Sequence, residues 1–261
     1  MALQTTPTTV GNMYDQFTDL LTDMMGGYIH VGYWHDNNKE ESIEVATDRL
    51  TFEVGNRVSP SPAQRILDVG CGTGKATVQI AKAYDVQVTG ISVSNHQIEL
   101  AQARSTHGAQ VLFQLANAME LSFPDASYDG AYAIESLCHM HDRGAAIAQI
   151  ARVLRPGSRF VVADILLDSC CPNPQGLTCF QETFQVPDLP SADDLQDLLR
   201  QAGFKVIEFT DIRENVLPVA KFYVQKGLAV GGEVGKKLIE MGSSFEQVKG
   251  LGYALITAER L

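Results

Sequence analysis

The sequence predicts an α/β protein with a Rossmann-like sheet, and three observations carry that expectation. Residues 65–74 (RILDVGCGTG) read as a buried strand ending in a glycine turn, and residues 75–84 (KATVQIAKAY) supply the helical period that follows. Apolar strand-like runs then return at residues 86–91, 111–115, 130–134 and 158–163, with a helical stretch at 143–154 between the last two. Finally, 261 residues with 45% hydrophobic content suffice for one full core with an elaboration.

Composition narrows the function classes. The net charge is −11, and none of the 20 Lys and Arg residues forms a basic run, so a nucleic-acid partner is not expected. No apolar run approaches the ~20 residues of a membrane span, and the polar start MALQTTPTTV is unlike a signal peptide; a cytoplasmic protein is expected. Five cysteines suit reduced thiols, and Cys170, Cys171 and Cys179 lack the spaced pairs of a zinc site, so no metal is expected.

Taken in order, residues 10–25 carry Val10, Met13, Phe17, Leu20, Leu21 and Met24 at helical spacing, and Gly26-Gly27 ends that helix. Residues 28–34 (YIHVGYW) then bring four rings together, including the only tryptophan. Ser59-Pro60-Ser61-Pro62 reads as a linker, because prolines at alternate positions cannot continue a helix.

The glycine turn points to a nucleotide-like cofactor, since glycines allow close backbone approach and the new helix directs its first amides outward. A P-loop is excluded: Val69 stands at its first glycine position and Ala76 where a magnesium-binding hydroxyl is needed. A dinucleotide loop is excluded because Lys75 replaces its third glycine. What remains is acidic-x-Gly-x-Gly-x-Gly, with Asp68 at the end of an apolar strand, where a carboxylate needs a positive or hydrogen-bonding partner. The ammonium group of S-adenosylmethionine would be one.

This run, DVGCGTG, resembles motif I of the class I S-adenosylmethionine-dependent methyltransferases. The resemblance implies cofactor contacts at Asp68, Gly70, Cys71, Gly72 and Gly74. The combination of YDQFTDLL, IHVGYW and SIEVATDRLT resembles the N-terminal cap of the sterol, tocopherol and natural-product sugar subgroup, in which Tyr14, Tyr33 and Trp34 would close over the methionine end of the cofactor. Ser92 stands 22 residues past Gly70 (92 − 70), where the commoner pattern has a ribose-binding acid; GISVSNHQ resembles the same subgroup and moves the ribose contact to Ser92, Val93 and Gln97. In Asn117-Ala118-Met119 an amide replaces the usual aspartate opposite adenine.

FPDASYD, a turn before the fourth strand, resembles motif II, and Glu135 and Ser136 follow that strand's end. ESLCHMHDR resembles the segment of sugar O-methyltransferases that carries a catalytic histidine, which implies His139 as general base, with His141 where relatives usually have proline. Asp164, at the end of the fifth strand, is expected to orient or charge His139 or to act as a second base.

Beyond it, residues 165–190 look irregular, Ser191 caps a helix ending at Gly203, and a sixth strand covers 204–212. Two helices divided by Gly231-Gly232 occupy 219–241, before a last strand at 252–258. The resemblance implies the strand order 3-2-1-4-5-7-6 with strand seven antiparallel. One methyltransferase domain is expected: a cap at 1–60, a cofactor-binding core at 61–164, a substrate-side insertion with strand six at 165–250, and a final strand at 251–261. The expected reaction is transfer of a methyl group to a hydroxyl of a small-molecule acceptor. C- or N-methylation, or cyclisation with the cofactor as scaffold, are the alternatives.

Overall fold

The computed structural model describes residues 5–35, 38–105, 110–168, 174–248 and 250–261. Two helices come first, α1 (Pro7–Met24) and α2 (Ile43–Val58). The Thr6 and Thr9 hydroxyls close a reciprocal cap at the start of α1, and the Ser42 side chain accepts from the Val45 amide to start α2. The core follows as β1 (Arg65–Val69), α3 (Lys75–Tyr84), β2 (Gln87–Ser92), α4 (Asn95–Arg104), β3 (Val111–Leu115), β4 (Tyr128–Ile134), α5 (Arg143–Val153) and β5 (Leu154–Leu167). The remaining elements are α6 (Pro174–Phe184), α7 (Ala192–Gln201), β6 (Phe204–Asp211), the short α8 (Arg213–Val216), α9 (Val219–Val230), α10 (Gly232–Gln247) and β7 (Leu251–Arg260).

The seven strands form one sheet in the order β3-β2-β1-β4-β5-β7-β6. β1 to β5 are parallel and β7 runs antiparallel to both β5 and β6. The expected order and the reversed seventh strand are both observed. Because the central strands are covered on both faces, they read as near-continuous apolar runs, and Ile66, Leu67, Val69, Phe160 and Val161 are all fully buried. One core layer joins the cap to the sheet through Trp34, Leu50, Val54 and Ile80; the other lies under α5 and α7.

Two departures from the sequence reading concern the second half. The Arg155-Pro156-Gly157 turn is absorbed into β5 as a break in register between Tyr128 and Gly130 of β4. The stretch read as irregular holds α6, and β5 continues to Leu167. Cys170 and Cys171 lie outside the described residues, as does the Cys179 side chain. Cys71 and Cys138 are buried free thiols. Among the described residues no helix is long and apolar enough to cross a membrane.

Candidate functional site

Strand order reverses between β1 and β4, and parallel sheets open a crevice at the carboxyl ends of such a pair. A cavity of about 100 Å³ lies there, lined by Asp68, Gly70, Cys71, Ser92, Val93, Gln97, Asn117, Ala118, Met119, Glu135 and Ser136, with Tyr14 and His139. These expected residues come together from the ends of four strands and from α1. A second cavity, of about 330 Å³, opens between α1, α6, α9 and α10. Tyr14, Ile29, Glu135 and His139 line both, so they form the wall between the two chambers.

The first chamber is organised by Asp68, which is 3% exposed. Its Oδ2 accepts from Thr77 Oγ1 at 2.6 Å and from the Tyr132 hydroxyl at 2.7 Å. Burial pushes its carboxyl up to about 6, against those two bonds. Tyr132 is the register partner of Asp68 across β1 and β4, which is why the two side chains share a face. Gly70 has φ +86°, and a Cβ there would come within 2.4 Å of Ser136 Cβ, so only glycine lets the turn approach the β4 end. Ser136 in turn donates to the Val69 carbonyl at 2.6 Å.

The neighbouring loop is equally engaged. Ser92 Oγ donates to Gln97 Oε1 at 2.7 Å and accepts from the Ser94 amide. Asp15 of α1 accepts from the Ser94 hydroxyl and the His96 amide, tying the cap onto the start of α4. Asn117 Oδ1 accepts from the Met119 amide at 3.0 Å, which leaves the amide's NH2 and one acceptor lone pair to face a ligand.

His139 sits in a single 3-10 turn, residues 137–139, just past β4. Its Nδ1 is 3.4 Å from the Gln185 carbonyl and its Nε2 is 2.8 Å from the Tyr14 hydroxyl. A carbonyl only accepts, so Nδ1 carries the proton and Nε2 accepts from Tyr14. Removal from water pushes the imidazole down to about 4, so it is neutral near pH 7. Beside it, Glu135 Oε1 accepts from the Val31 amide at 2.8 Å and the Tyr253 hydroxyl at 2.9 Å; burial raises this carboxyl to about 8. Glu135 has φ +47°, a costly backbone for a non-glycine residue and one that turns its side chain into the wall between the chambers.

Several expected positions lie elsewhere. Asp164 lines neither chamber. It accepts from the Cys138 amide at 3.1 Å and the Ile165 amide at 2.8 Å, so it holds the 3-10 turn that carries His139 without touching the imidazole. Trp34 is fully buried, stacks on Phe222 of α9 and donates to the Glu41 carbonyl. The Tyr33 ring meets His35 edge-on. Neither lines the first chamber, because the aromatic loop is used to dock the cap on the sheet. Gly72 and Gly74 also stand back from it: a Cβ at Gly72 would meet Ile29 and one at Gly74 would meet Phe113 and Ala101, so they serve the packing of the turn.

Conversely, Tyr28, Ile29, His30, Thr73 and Lys75 line the first chamber without having been singled out from the sequence. Lys75 Nζ donates to the Gly26 carbonyl at 2.5 Å and rests over the Tyr28 ring. Its position at the first turn of α3 was the available signal.

A family model described as a methyltransferase domain matches residues 67–162. An O-methyltransferase of Aspergillus sclerotiorum, resE, is 60% identical over 264 residues, covering 100% of both chains. The chain belongs to the class I S-adenosylmethionine-dependent methyltransferases. Its cofactor is therefore S-adenosylmethionine, and the strand-end carboxylate and close-approach glycine of the first chamber suit that molecule. The methyltransferase is also 37% identical to the 27-O-demethylrifamycin SV methyltransferase of Amycolatopsis mediterranei, with 98% of each chain covered. Among solved structures it is similar to the [4+2]-cyclase SpnF, at 30% identity and a TM-score of 0.84, covering 99% of this chain and 97% of that one.

Proposed function

We propose that the enzyme methylates a hydroxyl oxygen of a small-molecule secondary metabolite, with His139 as general base. The supporting observation is that His139 stands in the wall common to both chambers, its Nε2 lone pair engaged only by the Tyr14 hydroxyl. When bound, S-adenosylmethionine supplies an electrophilic methyl group on a sulfonium. Asp68 would meet the ammonium of its methionine end, Ser92, Val93 and Gln97 its ribose, and Asn117, Ala118 and Met119 its adenine, with Gly70, Cys71, Glu135 and Ser136 completing the walls. In this reading residues 1–60 are the cap, 61–164 the cofactor core and 165–250 the acceptor side.

Methyl transfer needs an acceptor held in line, water kept out, and somewhere for the acceptor's proton to go. The acceptor hydroxyl would take over the Nε2 bond from Tyr14. As the oxygen gains the methyl group its O–H bond breaks and the proton goes to Nε2, while Nδ1–H stays on the Gln185 carbonyl. Asp164 would act only by keeping the turn in place.

A second reading, cyclisation with the cofactor as scaffold, is favoured by the likeness to the cyclase. Incubation with methyl-labelled cofactor and hydroxylated metabolites separates the two. Label in an ether product with equimolar S-adenosylhomocysteine supports methylation; conversion of the acceptor without S-adenosylhomocysteine overturns it.

A further inference from the structure

The second chamber narrows the acceptor's chemistry, an inference that rests on the methyltransferase reading above. Its inner wall is apolar: Cys138, Ile165, Val186, Tyr223, Leu238 and Phe245 are all buried. The rings of Phe184, Tyr223 and Phe245 form one cluster there, with Tyr223 and Phe245 stacked at 6.0 Å. The charged side chains lining the chamber are Glu182, Lys237 and Glu240 at the exposed mouth; the titratable groups at the partition are Glu135 and His139. Lys237, the only Lys or Arg among the lining residues, rests over Phe17. Arg143 lies behind the partition, where Asp188 and the Cys138 carbonyl engage it, and lines neither chamber.

We infer that the acceptor is a neutral alcohol or phenol on a bulky, ring-bearing apolar skeleton, and that carboxylic acids and phosphate esters are rejected at the reacting end. The reacting end offers a neutral imidazole, two phenols and a carboxyl that burial keeps protonated at pH 7, so an anionic group would lose its water without meeting a cationic side chain. A neutral hydroxyl loses little, since Nε2 of His139 accepts its hydrogen bond. The aromatic walls bury the flat skeleton and leave the mouth charges in water.

The test uses two probes of matched size, 2-naphthol and 2-naphthoate, with the cofactor chamber filled by saturating S-adenosylhomocysteine at pH 7. The neutral phenol is expected to bind at least roughly tenfold more tightly than the carboxylate. Met241→Trp, which fills the chamber from a half-buried position, should abolish naphthol binding and leave S-adenosylhomocysteine affinity unchanged. Met241→Arg should raise naphthoate affinity by supplying a cation. Naphthoate binding as tightly as naphthol, naphthol binding unaffected by Met241→Trp, or no naphthol binding to protein that takes up S-adenosylhomocysteine overturns the inference alone. Failure to bind S-adenosylhomocysteine overturns the cofactor reading beneath it.

Discussion

The two chambers that meet at His139 are built by opposite means. The cofactor chamber is made of strand ends and the turns after them, and its polar atoms are held by short bonds from neighbours: Thr77 and Tyr132 on Asp68, Gln97 on Ser92, the Met119 amide on Asn117. The second chamber, proposed above for the acceptor, is made of helix faces, and apolar side chains on α1, α6, α9 and α10 define its shape. Backbone geometry at the strand ends leaves little room for substitution. Side chains on helix faces can be exchanged without disturbing the sheet.

The sharpest way to break this division is at the shared wall. His139→Ala is expected to lower kcat by roughly a hundredfold or more while the S-adenosylhomocysteine Kd, measured by calorimetry, stays within about twofold. Equal losses in both would mean that His139 belongs to the cofactor side. Because its imidazole is depressed to about 4, kcat should be independent of pH between about 5 and 7 and fall only in more acid solution as the base is protonated.

Next in size is Asp68→Asn, expected to weaken S-adenosylhomocysteine by roughly tenfold, since a hydrogen bond to a charged group contributes about 1.5–3 kcal/mol. The carboxylate form is the one that attracts an ammonium, and Asp68 titrates at about 6 in the empty protein. Wild-type affinity should therefore drop as pH falls through 6, and the Asn variant should not follow it.

On the helical side, Phe245→Leu should raise the acceptor KM several-fold, consistent with the loss of about 1 kcal/mol of ring contact, and leave cofactor affinity unchanged. A matching loss of cofactor affinity would show that the chambers are not independently built.

The last expected effect is on stability, in place of rate or affinity. Glu135 holds its proton to about pH 8 when folded but releases it near the ordinary carboxyl value when unfolded. Its contribution is complete below that ordinary value and lost as pH rises through 8. Glu135→Gln keeps an acceptor for the Val31 amide and the Tyr253 hydroxyl, so Tm should decline less between pH 5.5 and 8.5 than in the wild type.

The same division explains what could be read from the amino-acid order. The cofactor chamber was legible because a glycine turn and the strand ends are local features: Asp68, Ser92, Gln97 and Asn117 all line it. Gly72 and Gly74 share the motif yet face Ile29 and Phe113, since sequence spacing does not distinguish a glycine that admits a ligand from one that admits a neighbouring side chain. Trp34 and Tyr33 were misplaced for a related reason: a ring-rich loop can cover a ligand or dock a cap, and the choice depends on Phe222, nearly 190 residues away (222 − 34 = 188). His139 follows β4, as expected, whereas Asp164 lies within β5, which runs on to Leu167. The pairing fails because the Cys138 amide, unsatisfied at the start of its turn, reaches the carboxylate first. For the second chamber the sequence offered the range 165–250 as a substrate side but not the individual lining residues, because α6 and the α9–α10 pair meet only in the folded chain.

One helix belongs to both chambers. α1 carries Asp15, which grips the start of α4 beside the ribose contacts, Tyr14 on the base, and Met13 and Phe17 in the acceptor wall. A ligand that seats α1 from one side thereby prepares the other side. If each ligand seats this helix, reciprocity requires that cofactor and acceptor change each other's affinity by the same factor. The ties that hold it include a hydrogen bond between Asp19 and the His96 ring and the exposed ion pair of Asp23 with Lys226, the kind that salt weakens. If seating of α1 limits turnover, kcat should respond to ionic strength through this exposed pair.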